Sequence, residues 1–261
     1  MMETKNSSDI LCSLENGIQK IVLNRPKKKN AINKLMYEEI SRILDEAIQN
    51  DKIYVVVLTG TGNFFSSGND FLSLATSQGN DSESLENTLS NFKNFVERII
   101  TFPKLLVAVV NGPAIGIAVT ILPLFDMVYA SHTATFQTPF TSLGLVAEGC
   151  STYTFPKIFG HSKAGDMLYL GYKMNALEAK QYGLVSEVYK EEHLNDVWIY
   201  LKTVSLLSPK SIVAIKHLVR KWNKQILLEV NSRESAELLK FVQSSDFIER
   251  LINIMSRKSK I

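Results

Sequence analysis

The chain has 261 residues, 45% of them apolar, enough to bury a sizeable core as one large domain or one domain with a helical appendage. A formal net charge of +3, with Lys and Arg interleaved among Asp and Glu, argues against a nucleic-acid surface and suits at most a small anionic partner. The only cysteines, Cys12 and Cys150, are far apart and form no C-x-x-C, which argues against a disulfide framework or a zinc site and fits a reduced intracellular compartment.

In chain order, Ile10–Leu14 and Ile18–Leu23 flank Glu15-Asn16-Gly17, a hairpin signal. Asn33 is placed to cap a helix on which Met36, Ile40, Ile43, Leu44, Ala47 and Ile48 recur at helical spacing. A strand at 53–59 follows. Residues 75–90, rich in Ser, Asn and Asp, read as a mobile surface segment before a helix at Leu89–Ile100. Next come a strand at 105–110, a buried helix at 115–125, a strand at Met127–Ala130 and an extended piece at Ala134–Gln137. Beyond Cys150 the pattern is mainly helical, with a strand at Leu184–Val188 before helices near 192–206, 209–222 and 229–255. The apolar stretch from Ala114 to Phe125 is too short to span a membrane and carries Pro123. The first residues show neither a signal-peptide core nor an arginine-rich transit pattern.

Two glycine-bearing turns follow apolar strands: Phe64-Phe65-Ser66-Ser67-Gly68-Asn69-Asp70 after Val55–Thr59, and Asn111-Gly112-Pro113-Ala114-Ile115-Gly116-Ile117 after Leu105–Val110. Strand ends are where α/β proteins bind ligands, and the open N–H groups at the start of the 115–125 helix suit an oxyanion. Taken alone, each turn reads first as a plain strand–turn–helix connection. Gly60-Thr61-Gly62 begins like a dinucleotide fingerprint, but Phe65 stands where the third glycine belongs, so NAD binding fails. His132, His161, His193 and His217 show neither metal spacing nor a partnered nucleophile. Phe136, Phe140, Tyr153 and Phe155 read first as core packing, with an acyl pocket as the alternative.

The two turns, in this order, resemble the crotonase family, the enoyl-CoA hydratase/isomerase superfamily. So do Ile21-Val22-Leu23-Asn24-Arg25-Pro26 with Asn30-Ala31-Ile32, and Phe136-Gln137-Thr138-Pro139-Phe140 with Leu143-Gly144. The resemblance implies a mixed α/β fold, a spiral of strand-strand-helix turns over residues 1–195, followed by a helical lobe at 196–261 used in trimer contacts. It further implies that the backbone N–H groups of Asn69 and Ile117 hold the oxygen of a thioester. Hydratases of the family carry glutamates at the places occupied here by Thr120 and Phe140, neither of which can act as a carboxylate, so hydration is not expected.

Glu148, in Gly144-Leu145-Val146-Ala147-Glu148-Gly149-Cys150, is similar to the single glutamate of peroxisomal-type Δ3,Δ2-enoyl-CoA isomerases. One carboxylate suffices there, because the base that takes a proton from C2 returns it to C4. The apolar neighbours predict a raised proton affinity for Glu148. Cys150, lacking a histidine partner, reads as a packing residue. The resemblance implies substrate contacts from Ser66, Ser67, Gly68, Asn69, Asp70 and Gly116, with Lys27 or Lys29 near the coenzyme A phosphates; Asp70 also fits an ordinary turn residue and the lysines a solvated loop. No separate cofactor is implied, since coenzyme A belongs to the substrate. The expected partners are an acyl-CoA thioester, further copies of the chain in a homotrimer or hexamer, and the peroxisomal import receptor through Ser259-Lys260-Ile261, which is similar to the Ser-Lys-Leu address. A second resemblance, to the crotonase module of chromodomain Y-like proteins, implies acyl-CoA binding without turnover, although their carboxylate reads as aspartate where this chain has Glu148.

Overall fold

Asn16 and Gly17 both adopt left-handed backbone, with φ of +51° and +76°, as a two-residue hairpin with right-handed strand twist requires. They join strand β1 (Ile10–Glu15) to antiparallel β2 (Ile18–Leu23). Helix α1 (Lys34–Gln49) starts at Asn33, whose side chain accepts the Met36 N–H at 2.9 Å; Met36, Ile40, Ile43, Leu44 and Ala47 form its buried stripe. In this computed structural model the described residues are 9–70, 82–204 and 206–258.

The main sheet then grows by parallel addition. Strands β3 (Val55–Gly60), β4 (Leu105–Val110), β6 (Met127–Ser131) and β9 (Glu187–Tyr189) extend it in the order β1-β2-β3-β4-β6-β9. A second, small sheet contains β5 (Ala114–Ile115), β7 (Thr135–Gln137) and β8 (Met174–Asn175), in that order. A bridge from Ser66 to Ala114 carries this second layer back to the loop after β3. Successive passages through β3, β4 and β6 thus leave one segment in each layer, which is a spiral.

Both faces of the main sheet are covered, so its central strands read as unbroken apolar runs. Val56, Leu58, Leu106, Ala108 and Val110 face α1 and helix α2 (Ser82–Thr101), whose Phe92, Phe95, Val96 and Ile99 are buried. Val55, Val57, Val107 and Val109 face Val197, Leu201 and Val204 of helix α6 (Leu194–Val204). The remaining helices are α3 (Ile117–Thr120), α4 (Ser151–Leu168, bent at Gly160, φ +74°), α5 (Ala176–Gln181), α7 (Pro209–Val242) and α8 (Ser245–Lys258). Leu227, Leu238 and Val242 of α7 and Phe247 of α8 pack into the same core as α1 and α2.

Several boundaries differ from the expected ones. Residues 82–90, read as a mobile segment, belong to α2; the rest of that segment, up to residue 81, lies outside the described residues. The helix expected at 115–125 is one turn, α3, followed by a 3₁₀ turn at Leu122–Leu124, because Pro123 has no N–H to continue the α ladder. Leu184 and Val185 are buried but donate to the Ala179 carbonyl at the end of α5, so the strand begins at Glu187. The helices expected at 209–222 and 229–255 are divided elsewhere. No glycine or proline interrupts 222–229 and α7 runs through it, whereas Ser244, whose hydroxyl accepts the Phe247 N–H, starts α8.

Candidate active site

The first turn leaves β3 at Gly60 and is shaped by buried side-chain amides. Asn30 accepts the Arg25 N–H at 2.9 Å and donates to the carbonyls of Thr61 and Phe64, each at 2.8 Å. Asn111, at the end of β4, accepts the Gly60 N–H at 3.0 Å and donates to the Gly62 carbonyl at 2.8 Å. The two strand ends are thereby tied together. Ser66 is buried; its hydroxyl donates to the Asn30 carbonyl and accepts the Gly68 N–H. Gly68 has φ +83°, and a Cβ there would stand 2.6 Å from the Ile115 carbonyl oxygen and 3.7 Å from the Ile117 nitrogen. Only a residue without a side chain lets the turns approach this closely.

Asn69 and Ile117 present their backbone N–H groups at this junction. Among the described residues, neither donates to a protein acceptor. The neighbouring amides are engaged: Asp70 donates to the Ile32 carbonyl and Gly116 to the Gln137 carbonyl. Because α3 is a single turn, any pull on an anion comes from the open N–H groups themselves, not from a long helix dipole. The Asn69 side chain is also fixed, its Oδ1 accepting the buried Tyr37 hydroxyl at 2.5 Å. Burial first, and then the charge of Glu148, push the Tyr37 phenol well above its ordinary range.

Glu148 is 2% exposed and sits on a turn of two consecutive left-handed residues, Gly149 (φ +68°) and Cys150 (φ +66°), leading into α4. Its carbonyl accepts the Ser151 hydroxyl at 2.8 Å, and its Oε1 accepts the Thr120 hydroxyl over a long 3.4 Å. Oε2 is buried and has no hydrogen-bond partner among the described residues. Loss of water drives its proton affinity well above the ordinary carboxylate value; the Glu234 charge adds to the rise and the Thr120 hydroxyl opposes it. A raised proton affinity suits a carboxyl that must both take up a proton and return it. The Cys150 thiol, donating to the Leu227 carbonyl at 3.4 Å and raised by burial, is a packing group.

These pieces surround a cavity of about 90 Å³ lined by Ser67, Gly68, Asn69, Ile115, Gly116, Ile117, Pro139, Phe140, Leu143, Leu145, Val146, Glu148 and Leu238. Asn69, Ile117, Gly116, Gly68, Ser67 and Glu148 therefore meet in one place. Ser66 and Asp70 do not line it. The Asp70 carboxylate is buried and pairs with Arg25 at 2.9 Å. Lys27 and Lys29 lie exposed beside the first turn, with Lys29 Nζ 5.0 Å from the Phe64 ring centre. Phe140 lines the cavity, whereas Phe136 and Phe155 are core residues. Among the described residues no group of histidine, cysteine and carboxylate side chains could hold a metal.

Sequence reasoning missed Asn30 and Asn111 as ties between the turns, Tyr37 behind Asn69, and Leu238 and Glu234 from α7. One signal was available for Glu234: it falls in the same helical stripe as Leu227, Asn231 and Leu238, a charge on a buried face.

Comparisons with known proteins agree with this architecture. The family model described as enoyl-CoA hydratase/isomerase matches residues 13–257. The chain is 47% identical to mouse enoyl-CoA delta isomerase 3, peroxisomal, over 259 residues, covering 99% of this chain and 81% of that protein. Against human enoyl-CoA delta isomerase 2 the identity is 46%, covering 97% of this chain and 64% of the relative. Human testis-specific chromodomain protein Y 1 is 38% identical, with 96% and 47% covered. The crystal structure of an enoyl-CoA hydratase/isomerase from Pseudoalteromonas atlantica superposes with a TM-score of 0.86 at 31% identity, covering 95% of this chain and 97% of that one. The chain belongs to the enoyl-CoA hydratase/isomerase family and has its crotonase fold.

Proposed function

We propose that the chain is a Δ3,Δ2-enoyl-CoA isomerase acting in fatty acid oxidation, with Glu148 as its only acid–base group. The observation that carries this reading is the meeting, in one small cavity, of a buried carboxyl and two backbone N–H groups, one carboxyl oxygen and both N–H groups being without partners among the described residues. Glu148 removes a proton from C2 of a 3-enoyl thioester, and the electron pair moves onto the thioester oxygen, forming a dienolate. The Asn69 and Ile117 N–H groups stabilise that oxygen, each donor contributing about 3 kcal/mol. Glu148 then delivers its proton to C4 as the electrons settle between C2 and C3, giving the 2-trans product. No water is consumed, in keeping with Thr120 and Phe140 at the places where hydratases carry glutamates.

Lys27 and Lys29, exposed beside the first turn, are proposed to meet the coenzyme A phosphates; coenzyme A remains part of the substrate. Exposed Leu218, Val219 and Trp222 on α7 support a homotrimer or hexamer. A peroxisomal location draws support from the name of the mouse relative. The proposed import address Ser259-Lys260-Ile261 lies outside the described residues.

The reaction is followed by the ultraviolet absorbance of the conjugated 2-enoyl-CoA. The Glu148→Gln variant is expected to lose about 10²–10⁴-fold in kcat; a variant at full rate would remove Glu148 from the mechanism. A second reading, acyl-CoA binding without turnover, draws on the likeness to the chromodomain protein. It takes over if the unmodified chain binds a 3-enoyl-CoA tightly yet never converts it.

A further inference from the structure

Glu234 lies on α7, 84 residues beyond Cys150, and is only 7% exposed. Its Oε2 accepts the Cys150 N–H at 2.6 Å; its Oε1 accepts the Thr152 N–H at 3.0 Å and the Thr152 hydroxyl at 2.5 Å. Helix α4 brings no cap of its own, since Cys150 at the N-cap offers no side-chain acceptor. A carboxylate from a distant helix therefore satisfies the open N–H groups at the start of α4. The atoms it grips belong to the turn whose preceding residues are Glu148 and Gly149, where two left-handed residues in succession need an external hold.

The bonding of the two buried carboxyls is unequal. Glu234 receives three donors, all of which favour its anion, whereas Glu148 receives one hydroxyl at 3.4 Å and nothing at Oε2. Between two coupled acids, the better-solvated one ionises first and its charge then opposes ionisation of the other. The other titratable groups facing Glu148 are the Tyr37 phenol from α1 and the Cys150 thiol on its own turn. Burial pushes both upward, so they stay protonated while the carboxyls titrate.

We propose that Glu234 is a positioning residue for the proton transfer: its carboxylate locks the turn that carries Glu148 and places a buried negative charge behind the base. The proposal rests on Glu148 being the base, as inferred above. Glu234 touches no substrate; it acts through Cys150, Thr152 and the field at Glu148. It also makes α7 part of the site, because the same helix contributes Leu238 to the cavity wall.

The test is the pH dependence of kcat/KM for a 3-enoyl-CoA. Glu234→Gln keeps the shape and one acceptor oxygen for the Cys150 N–H, but removes the charge and turns an NH2 group toward the Thr152 N–H. The acid limb is expected to move down by about one pH unit, with the plateau kcat several-fold lower and KM little changed. Glu234→Asp, which keeps the charge, is expected to return the limb toward the original position even if its Tm falls. A purely structural cap would lower Tm and kcat in both variants and leave the limb in place, which overturns the proposal. Should Glu234→Gln not fold, carbon-13 carboxyl NMR of the unaltered protein reads the order directly: Glu234 is expected to lose its proton at lower pH, and Glu148 ionising first overturns the proposal. Full activity in Glu148→Gln would instead remove the base assignment itself, so the two failures are distinguishable.

Discussion

The two donor turns are held by residues one strand away, whereas the turn that bears Glu148 is held by a helix 84 residues further along the chain. Asn30 and Asn111 reach to the carbonyls of 61–64, so the first donor turn is held by groups next to the strand ends it leaves. The base side is complete only when α7 docks and Glu234 meets the start of α4. Main-chain donors need a fixed backbone and nothing else. A buried carboxyl needs its surroundings tuned, and that tuning comes from distant elements.

The comparison breaks most sharply at Gly149. A Cβ there would stand 2.3 Å from the Thr120 hydroxyl oxygen, with φ at +68° besides. Gly149→Ala is expected to displace Glu148 and cost about 10²-fold in kcat, with a lowered Tm, in the same ultraviolet assay. On the donor side, Asn30→Ala removes the side-chain donor to the Thr61 carbonyl and the acceptor of the Arg25 N–H, leaves the Phe64 carbonyl to Asn111 alone, and adds a left-handed alanine. It is expected to cost about 3 kcal/mol in a urea titration.

The base side carries a sign that the donor side lacks. Glu148 and Glu234 both have folded proton affinities raised above the unfolded value, chiefly by burial. The folded state therefore holds more protons than the unfolded one, and this contribution to stability is full below the ordinary glutamate range and lost as pH rises through the raised values. Glu148→Gln is thus expected to raise Tm by a few degrees at pH 8 and by less at pH 5, checked by melting across pH. Equal gains at both pH values would mean that Glu148 carries no such penalty. The smallest expected effect is at Tyr37→Phe, which deletes the 2.5 Å bond to Asn69 without touching its N–H; about 1 kcal/mol of stability should go, with kcat lowered less than tenfold.

Local chemistry made much of this legible in the sequence. Asn16-Gly17, the Asn33 cap, the apolar strands and both glycine turns are set by backbone preferences within a few residues, and they stand where expected. Glu148 stood out less by its apolar neighbours, which also fit an ordinary loop glutamate, than by its similarity to the single glutamate of the isomerases. The helix ends were less legible where tertiary contacts override weak local signals, as along α7, or where a single proline shortens a helix, as after α3.

What the amino-acid order determined by itself is the set of parts: strands and turns from short-range sterics and spacing, and two candidate N–H donors and one candidate base through the family resemblance those turns carry. Folding alone decided that Asn69, Ile117 and Glu148 share a cavity, that Asp70 turns to Arg25 and that Glu234 stands behind the base. Those pairings join residues tens of positions apart. Nothing in local backbone preference distinguishes the correct partner of a buried carboxylate until packing has excluded water from around it.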